Sequence, residues 1–361
     1  MNFELSVLSI VGLALVVAGV ISFAMSPLVK SFAYKVGAID VPKDARRMHK
    51  TPIPRLGGLA IFLGFMVSIL LFADMTDQLK GILLGAVVIV ILGVVDDITP
   101  LPAKLKFCVQ ILAALIPAFH GVVVQAVTNP NLFSPNPYWV LGGLSIPMTV
   151  IWIVAITNAV NLIDGLDGLA IGVSAISATT VLVIALLVSE GQVAILMAAL
   201  VGACVGFMPY NLNPAKMFMG DTGATFLGFI LACISIQGLF KFYAVISFAV
   251  PFLILGLPIF DTAFAMTRRI LKGQSPMVAD RGHIHHRLID MGLNQKQAVA
   301  TLYVISAILG LSAVVLTTSG EVRAIICFLA LCVVALVAWR VVFHIEKPLQ
   351  QPEETDQSSE D

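Results

Sequence analysis

Residues 81–97 read GILLGAVVIVILGVVDD: fifteen residues without a charge, stopped by two adjacent aspartates. A run of that length is helix-sized rather than strand-sized, and it presents no polar face to water. Similar runs recur at roughly 5–25, 56–73, 80–96, 105–123, 146–160, 167–188, 191–209, 223–239, 243–264, 298–317 and 322–343, about eleven in all. Of the 361 residues 59% are hydrophobic and 12% charged, too few charges to clothe a soluble domain, and the mean hydropathy is +0.99. The expected fold class is therefore all-α, a polytopic integral membrane protein with about eleven transmembrane helices. One transmembrane domain spans residues 1–343; residues 344–361 form a tail with five acidic residues after Pro348, read as disordered and cytoplasmic.

Lys and Arg orient the chain. Residues 1–4 carry neither, while Lys30, Lys35, Lys43, Arg46 and Arg47 follow the first run, so that run reads as a retained helix with its N-terminus outside. Alternating from there puts 26–55, 97–104, 161–166, 210–222, 265–297 and 344–361 in the cytoplasm of an inner (plasma) membrane protein. With Lys106 and Arg340 counted beside their loops, 18 of 21 Lys and Arg fall inside, and Lys80, Lys241 and Arg323 fall outside. The outer segment 121–145 has no charge, and its three Pro residues mark turns. Gly81/Gly85 and Gly202/Gly206 suit close helix packing, and the five cysteines, with no CxxC, read as packing residues.

The polar motifs all fall on the cytoplasmic side, where ionisable residues near a membrane are functional candidates. Asp96 and Asp97 close a helix whose C-terminal dipole end disfavours acids, so a cation or another partner must compensate them unless they merely mark the helix end. Asn158, Asn161 and Asp164 recur at i, i+3 and i+6, with Gly165, Asp167 and Gly168 completing a motif too polar for an ordinary turn. In NLNPAKMFMGDTG, Asp221 is placed either to cap the next helix or to hold a Mg²⁺ ion against phosphate, with Lys216 and Phe218 nearby. Arg281, His283, His285, His286 and Arg287 form a cationic cluster that suits an anion better than zinc, because no Cys or Glu completes a zinc set. Lys50, Arg55, Lys104 and Lys106 stand where they can neutralise a lipid phosphate or simply snorkel. Asp261 precedes Arg268 by seven residues, a spacing on one helical face that favours a structural ion pair or a packing role. Acids suited to Mg²⁺, cationic loop residues and interfacial lysines together suit phosphoryl transfer between a nucleotide and a lipid. A secondary transporter is the alternative of another class, but its acids should lie near the bilayer midplane.

From about residue 27 to 297, the four motifs in this order resemble the polyprenyl-phosphate N-acetylhexosamine-1-phosphate transferases. The resemblance implies roles residue by residue. Asp96 and Asp97 match the family's DD pair, which contacts the lipid phosphate or acts as base, and Lys104 matches the lysine that follows. Asn161, Asp164 and Asp167 match NxxDGxDG, with Asp164 among the catalytic acids and Asn161 near the metal. Phe218 and Asp221 match FMGDxG, where the ring stacks on uracil and the acid binds Mg²⁺, with Mn²⁺ the alternative ion. Arg281, His283, His285 and His286 match the loop that holds sugar and diphosphate, and Lys50 and Asn158 join the substrate-binding set. DRGHIHH is similar to the branch that uses UDP-GlcNAc and undecaprenyl phosphate to begin teichoic acids or other surface polysaccharides. The phospho-MurNAc-pentapeptide transferases of peptidoglycan synthesis are the alternative branch. Ala224 stands where relatives often have Ser. The partners implied are UDP-GlcNAc and undecaprenyl phosphate in the inner leaflet, with a homodimer left open and no nucleic acid.

The orientation is tested by labelling in a background without native cysteines. A cysteine at Gly273 is expected to resist an impermeant thiol reagent in intact cells and to react once the inner face is opened, whereas one at Asn131 is expected to react in intact cells. Outside labelling at Gly273 would mean that an odd number of spans had been miscounted before it.

Overall fold

A bilayer offers amide groups no water, so each apolar run must satisfy its own backbone, which only helices do segment by segment. The computed structural model describes residues 5–41, 52–128, 136, 138–239, 249–273 and 282–319, with isolated positions between 323 and 336. Among them are twelve α-helices. These are α1 (Leu5–Val36), α2 (Gly57–Phe72), α3 (Asp77–Ile98), α4 (Ala103–Phe119), α5 (Ser145–Leu162), α6 (Leu169–Leu187), α7 (Gly191–Asn211), α8 (Gly220–Ile234), α9 (Ala249–Ile254), α10 (Gly256–Leu271), α11 (Ile284–Asp290) and α12 (Gln295–Ser319). Seven helical stretches among the described residues are long and apolar enough to cross a bilayer, and α2 is a shorter apolar helix. The chain is an all-α polytopic membrane protein. The other expected runs correspond to α4, to a run split into α9 and α10, and to 322–343, most of which lies outside the described residues, as do the tail 344–361, Lys50 and Arg281.

Two antiparallel hairpins interrupt the helices, where the sequence showed no strand-like alternation. Ile39–Asp40 pairs with Ile53–Pro54, and Ala126–Thr128 with Tyr138–Val140. Helix α1 runs eleven residues beyond the expected end at Met25, through Pro27. It continues because Ser22, Ser26, Val29 and Ala33 keep one buried stripe at three- and four-residue spacing, which outweighs the amide that Pro27 removes. The run 243–264 is broken at Leu255 instead of forming one span. Pro258 cannot donate to the Ile254 carbonyl, and the Ser177 hydroxyl of α6 donates to it at 2.8 Å.

Helix α8 is the centre of the bundle. Every residue from Thr222 to Ile234 is buried, against α2, α3, α5 and α6. Outer helices show the reverse of soluble logic: Leu8, Leu13, Val16 and Val20 of α1 are exposed because lipid is their solvent. Where helices touch closely the contact residue is glycine. A Cβ at Gly202 of α7 would collide with the Leu15 carbonyl of α1, and one at Gly206 with the Gly19 carbonyl.

This contact yields a prediction. Gly202→Ile is expected to force α1 from α7 and lower stability by about 1–3 kcal/mol. Gly12→Ile, which meets open space, is the control and should be near neutral. Thermal unfolding in detergent reads both.

Candidate active site

The site is built where the C-terminal end of α3 meets the N-terminal end of α8. The approach is close because Gly93 has no side chain: a Cβ there would collide with the Thr222 backbone. Asp97 is 2% exposed and spends both oxygens on α8. Its Oδ1 accepts from the Asp221 N–H at 3.1 Å, and its Oδ2 from the Thr222 N–H at 3.0 Å and the Thr222 hydroxyl at 2.7 Å. An aspartate from another helix thus caps α8, whose own N-cap residue, Met219, makes no side-chain cap. The sequence left Asp221 as either cap or ligand; it is not the cap, and its carboxylate is turned to other partners. Arg55 compensates the other helix end, donating to the carbonyls of Asp97 and Asp96 at 3.1 and 3.3 Å.

Asp96 points away from Asp97, as adjacent helical positions must. Its Oδ1 accepts from the Leu101 N–H at 2.7 Å, and its Oδ2 from Lys106 Nζ at 3.0 Å. The same ammonium donates to Asp221 Oδ2 at 3.0 Å, so Lys106 bridges the two acids. The resemblance pointed to Lys104 here. That residue is exposed and outside the cluster. The helical face explains the difference: Gln110, Ala113, Ala114 and Pro117 are the buried stripe of α4, and Lys106, not Lys104, lies on it one turn earlier. That spacing is legible in the sequence.

The turn from Asn161 to Gly168 supplies the third wall. Asp164 and Asn161 are part-buried, and neither side chain has a hydrogen-bond partner among the described residues. Burial first, then the negative charges of Asp221, Asp97 and Asp167, push the Asp164 carboxyl up to about 8. Asp167 plays a different part: its Oδ2 accepts from Asn213 Nδ2 at 2.9 Å and from the Ala215 N–H at 3.0 Å, holding the segment that leads to Phe218. Asn158 lies behind the turn, donating to Gln110 of α4 at 2.6 Å and to the Val154 carbonyl at 2.8 Å.

Phe218 is presented by its backbone. Its N–H donates to the Pro54 carbonyl and its own carbonyl accepts from Gly57, while Met217 and Met219 on either side are fully buried. Phe218 is therefore left part-exposed between two buried anchors. The histidine segment closes the site. His285 packs on Gly165, where a Cβ would strike its ring, and burial holds its pKa down to about 4, so it is neutral. His283 and His285 lie nearly parallel with centroids 5.7 Å apart, and His286 is 4.3 Å from His285. Asp261 does not pair with Arg268 as its spacing suggested; its Oδ2 lies 2.8 Å from His283 Nδ1.

Residues 79–239 match the model of glycosyl transferase family 4. A probable undecaprenyl-phosphate N-acetylglucosaminyl 1-phosphate transferase of Bacillus subtilis is 44% identical over 298 residues, covering 82% of each chain. The chain belongs to glycosyl transferase family 4. A decaprenyl-phosphate N-acetylglucosaminephosphotransferase of Mycobacterium leprae is 32% identical, covering 82% of this chain and 80% of its own. A phospho-N-acetylmuramoyl-pentapeptide-transferase of Staphylococcus aureus is 31% identical, with 83% and 95% covered. In this family 4 glycosyl transferase the adjacent aspartates are thus unlike in geometry, one spent on a helix end and one shared with a lysine. Arg55, Lys106 and Thr222 join the site that the sequence motifs outlined.

The two aspartates at the helix junction are separable by experiment. Asp97→Asn sets amide N–H groups against N–H donors and is expected to lower stability by about 1–3 kcal/mol. Asp221→Asn keeps the α8 cap and should melt within about 0.5 kcal/mol of the parent. Thermal unfolding of the purified variants distinguishes them.

Proposed function

We propose that this glycosyl transferase moves GlcNAc-1-phosphate from UDP-GlcNAc to undecaprenyl phosphate at the inner leaflet, releasing UMP and beginning a teichoic acid or another surface polysaccharide. The observation that carries the reading is the meeting of four separated motifs at one end of the bundle. Asp97 bonds to α8, Lys106 joins Asp96 to Asp221, Asp167 holds the approach to Phe218, and His285 packs on Gly165. The names of the Bacillus and Mycobacterium relatives support GlcNAc and a polyprenyl phosphate as substrates. Acids gathered at one end also speak against a transport path through the midplane.

The donor set suits a hard divalent ion. Carboxylates of Asp96, Asp164 and Asp221 and the amide of Asn161 offer oxygens, and Lys106 offsets only part of the charge. Among the described residues no three His, Cys, Asp or Glu side chains close into a metal cage. Mg²⁺ usually takes one or two carboxylates and completes its shell with water and phosphate oxygens. Asp221 and Asn161 would hold Mg²⁺ or Mn²⁺, which when bound supplies positive charge to the donor diphosphate. Phe218 stacks on the uracil, and the histidine loop faces the sugar diphosphate. Both oxygens of Asp97 accept from α8, which supports a part in holding the helix junction for it. No base is required: a phosphomonoester with a second pKa of about 6 is already ionised at neutral pH. An oxygen of the lipid phosphate attacks the β-phosphorus of the donor, the bond to the UMP oxygen breaks, and UMP leaves with its electron pair.

Purified protein with Mg²⁺, undecaprenyl phosphate and UDP-GlcNAc is expected to release UMP and form the lipid-diphosphate sugar, identified by mass spectrometry. Product from UDP-MurNAc-pentapeptide in its place would favour the peptidoglycan branch, and a phosphosugar trapped on Asp96 or Asp97 without lipid would exclude direct transfer. Asp221→Asn should lose turnover roughly a hundredfold while remaining folded.

Asp164 gives the pH dependence. Its native value of about 8 lies above the ordinary 3.8, so between these limits the folded protein holds a proton that the unfolded chain loses. This contribution to stability is complete at low pH and fades as pH rises through about 8. Mg²⁺ is therefore expected to raise the melting temperature more at about pH 9 than at about pH 6, and Asp164→Asn should remove the difference.

A further inference from the structure

Asp261 stands in the α10 stretch GLPIFDTAFAM and is 2% exposed. A carboxylate so placed is destabilising unless its oxygens are bonded. Both are, and to one short segment: Oδ2 lies 2.8 Å from His283 Nδ1, and Oδ1 accepts from the Ile284 N–H at 2.6 Å. Seven residues along α10, Arg268 Nη1 donates to the Gly282 carbonyl at 2.9 Å, and a Cβ at Gly282 would collide with that guanidinium. Three consecutive residues, 282–284, are thus gripped by one helix at two points. The spacing that suggested an Asp261–Arg268 pair reflects two side chains reaching for the same segment.

The grip has a chemical consequence. A carboxylate only accepts, so the hydrogen between it and the ring belongs to Nδ1, and Nε2 is left on the far side of the imidazole. In that tautomer Nε2 is an acceptor, suited to a hydroxyl or N–H group of a ligand. The ring lies parallel to His285, which itself rests on Gly165 in the turn bearing Asp164. His283 is thereby fixed in place and in tautomer, one ring away from the turn that bears Asp164.

We propose that Asp261 is a positioning residue that acts through His283, holding Nε2 as an acceptor toward a hydroxyl of the donor sugar. The inference rests on the transferase reading above and adds to it a residue outside the four motifs. It distinguishes a carboxylate that serves the donor from one that merely pins α11 to α10.

The experiment is a double-mutant cycle on the full-length protein, read by UMP release. Asp261→Asn is expected to lower kcat/KM for UDP-GlcNAc about tenfold and to leave KM for undecaprenyl phosphate within about twofold. In a His283→Gln background the same substitution should cost less than about twofold more, since a residue acting through another has nothing left to act on. Losses that multiply, a parent-like Asp261→Asn, or a raised lipid KM would each overturn the inference. If Asp261→Asn does not purify as a monodisperse protein, Asp261→Ser, which keeps an acceptor for Ile284, takes its place. Failure of both marks the residue as structural and overturns the inference too. A parent protein that releases no UMP refutes the transferase reading and this inference with it, whereas an active parent insensitive to the cycle refutes the inference alone.

Discussion

The junction of α3 with α8 depends on one carboxylate accepting from the first amides of a buried helix. Thr222 is fully buried, and α8 has no cap of its own. Asp97 satisfies those amides from across the bundle, the negative end of α3 meeting the positive end of α8 with an anion between. Arg55 bonds the carbonyls that end α3, and glycine at 93 lets the two backbones approach. Because the cap comes from outside, Asp221 is released from local duty and its carboxylate reaches the cluster.

The same division of labour recurs in each motif. Asp97 builds while Asp96 joins the charged cluster. Asp167 builds, holding Asn213 and Ala215, while Asp164 stands without a bonded partner among the described residues. Met217 and Met219 build, and Phe218 between them is left half-exposed. Polar residues near a membrane are destabilising singly, so each member available to a ligand is paired with one whose bonds hold the backbone that carries it.

Much of this was legible in the sequence. Apolar run length located most helices, and the small-residue pairs on α7 fall at its contact with α1. The motifs were recognisable as polar groups in an apolar chain. What escaped were choices between near-equivalent residues and choices of distant partner. Lys104 and Lys106 differ by a helical face, and the stripe from Gln110 to Pro117 was the signal. Asp97 and Asp221 are 124 residues apart, and no local pattern says which of them caps α8. Asp261 was read with its neighbour Arg268 because both lie on one helix; the true partner sits 22 residues away on another segment. The break at Leu255 was marked by Gly256 and Pro258 but hidden by the hydrophobicity of the run.

The central place of α8 also bears on how the chain is assembled during synthesis. The helices that chiefly enclose it, α2, α3, α5 and α6, all precede it in the sequence. When α8 leaves the ribosome, its neighbours have already been made. A helix that begins with Gly-Asp-Thr-Gly would be a poor passenger in bare hydrocarbon. It arrives instead to a berth prepared by earlier segments, where a carboxylate from α3 is already waiting for its leading amides.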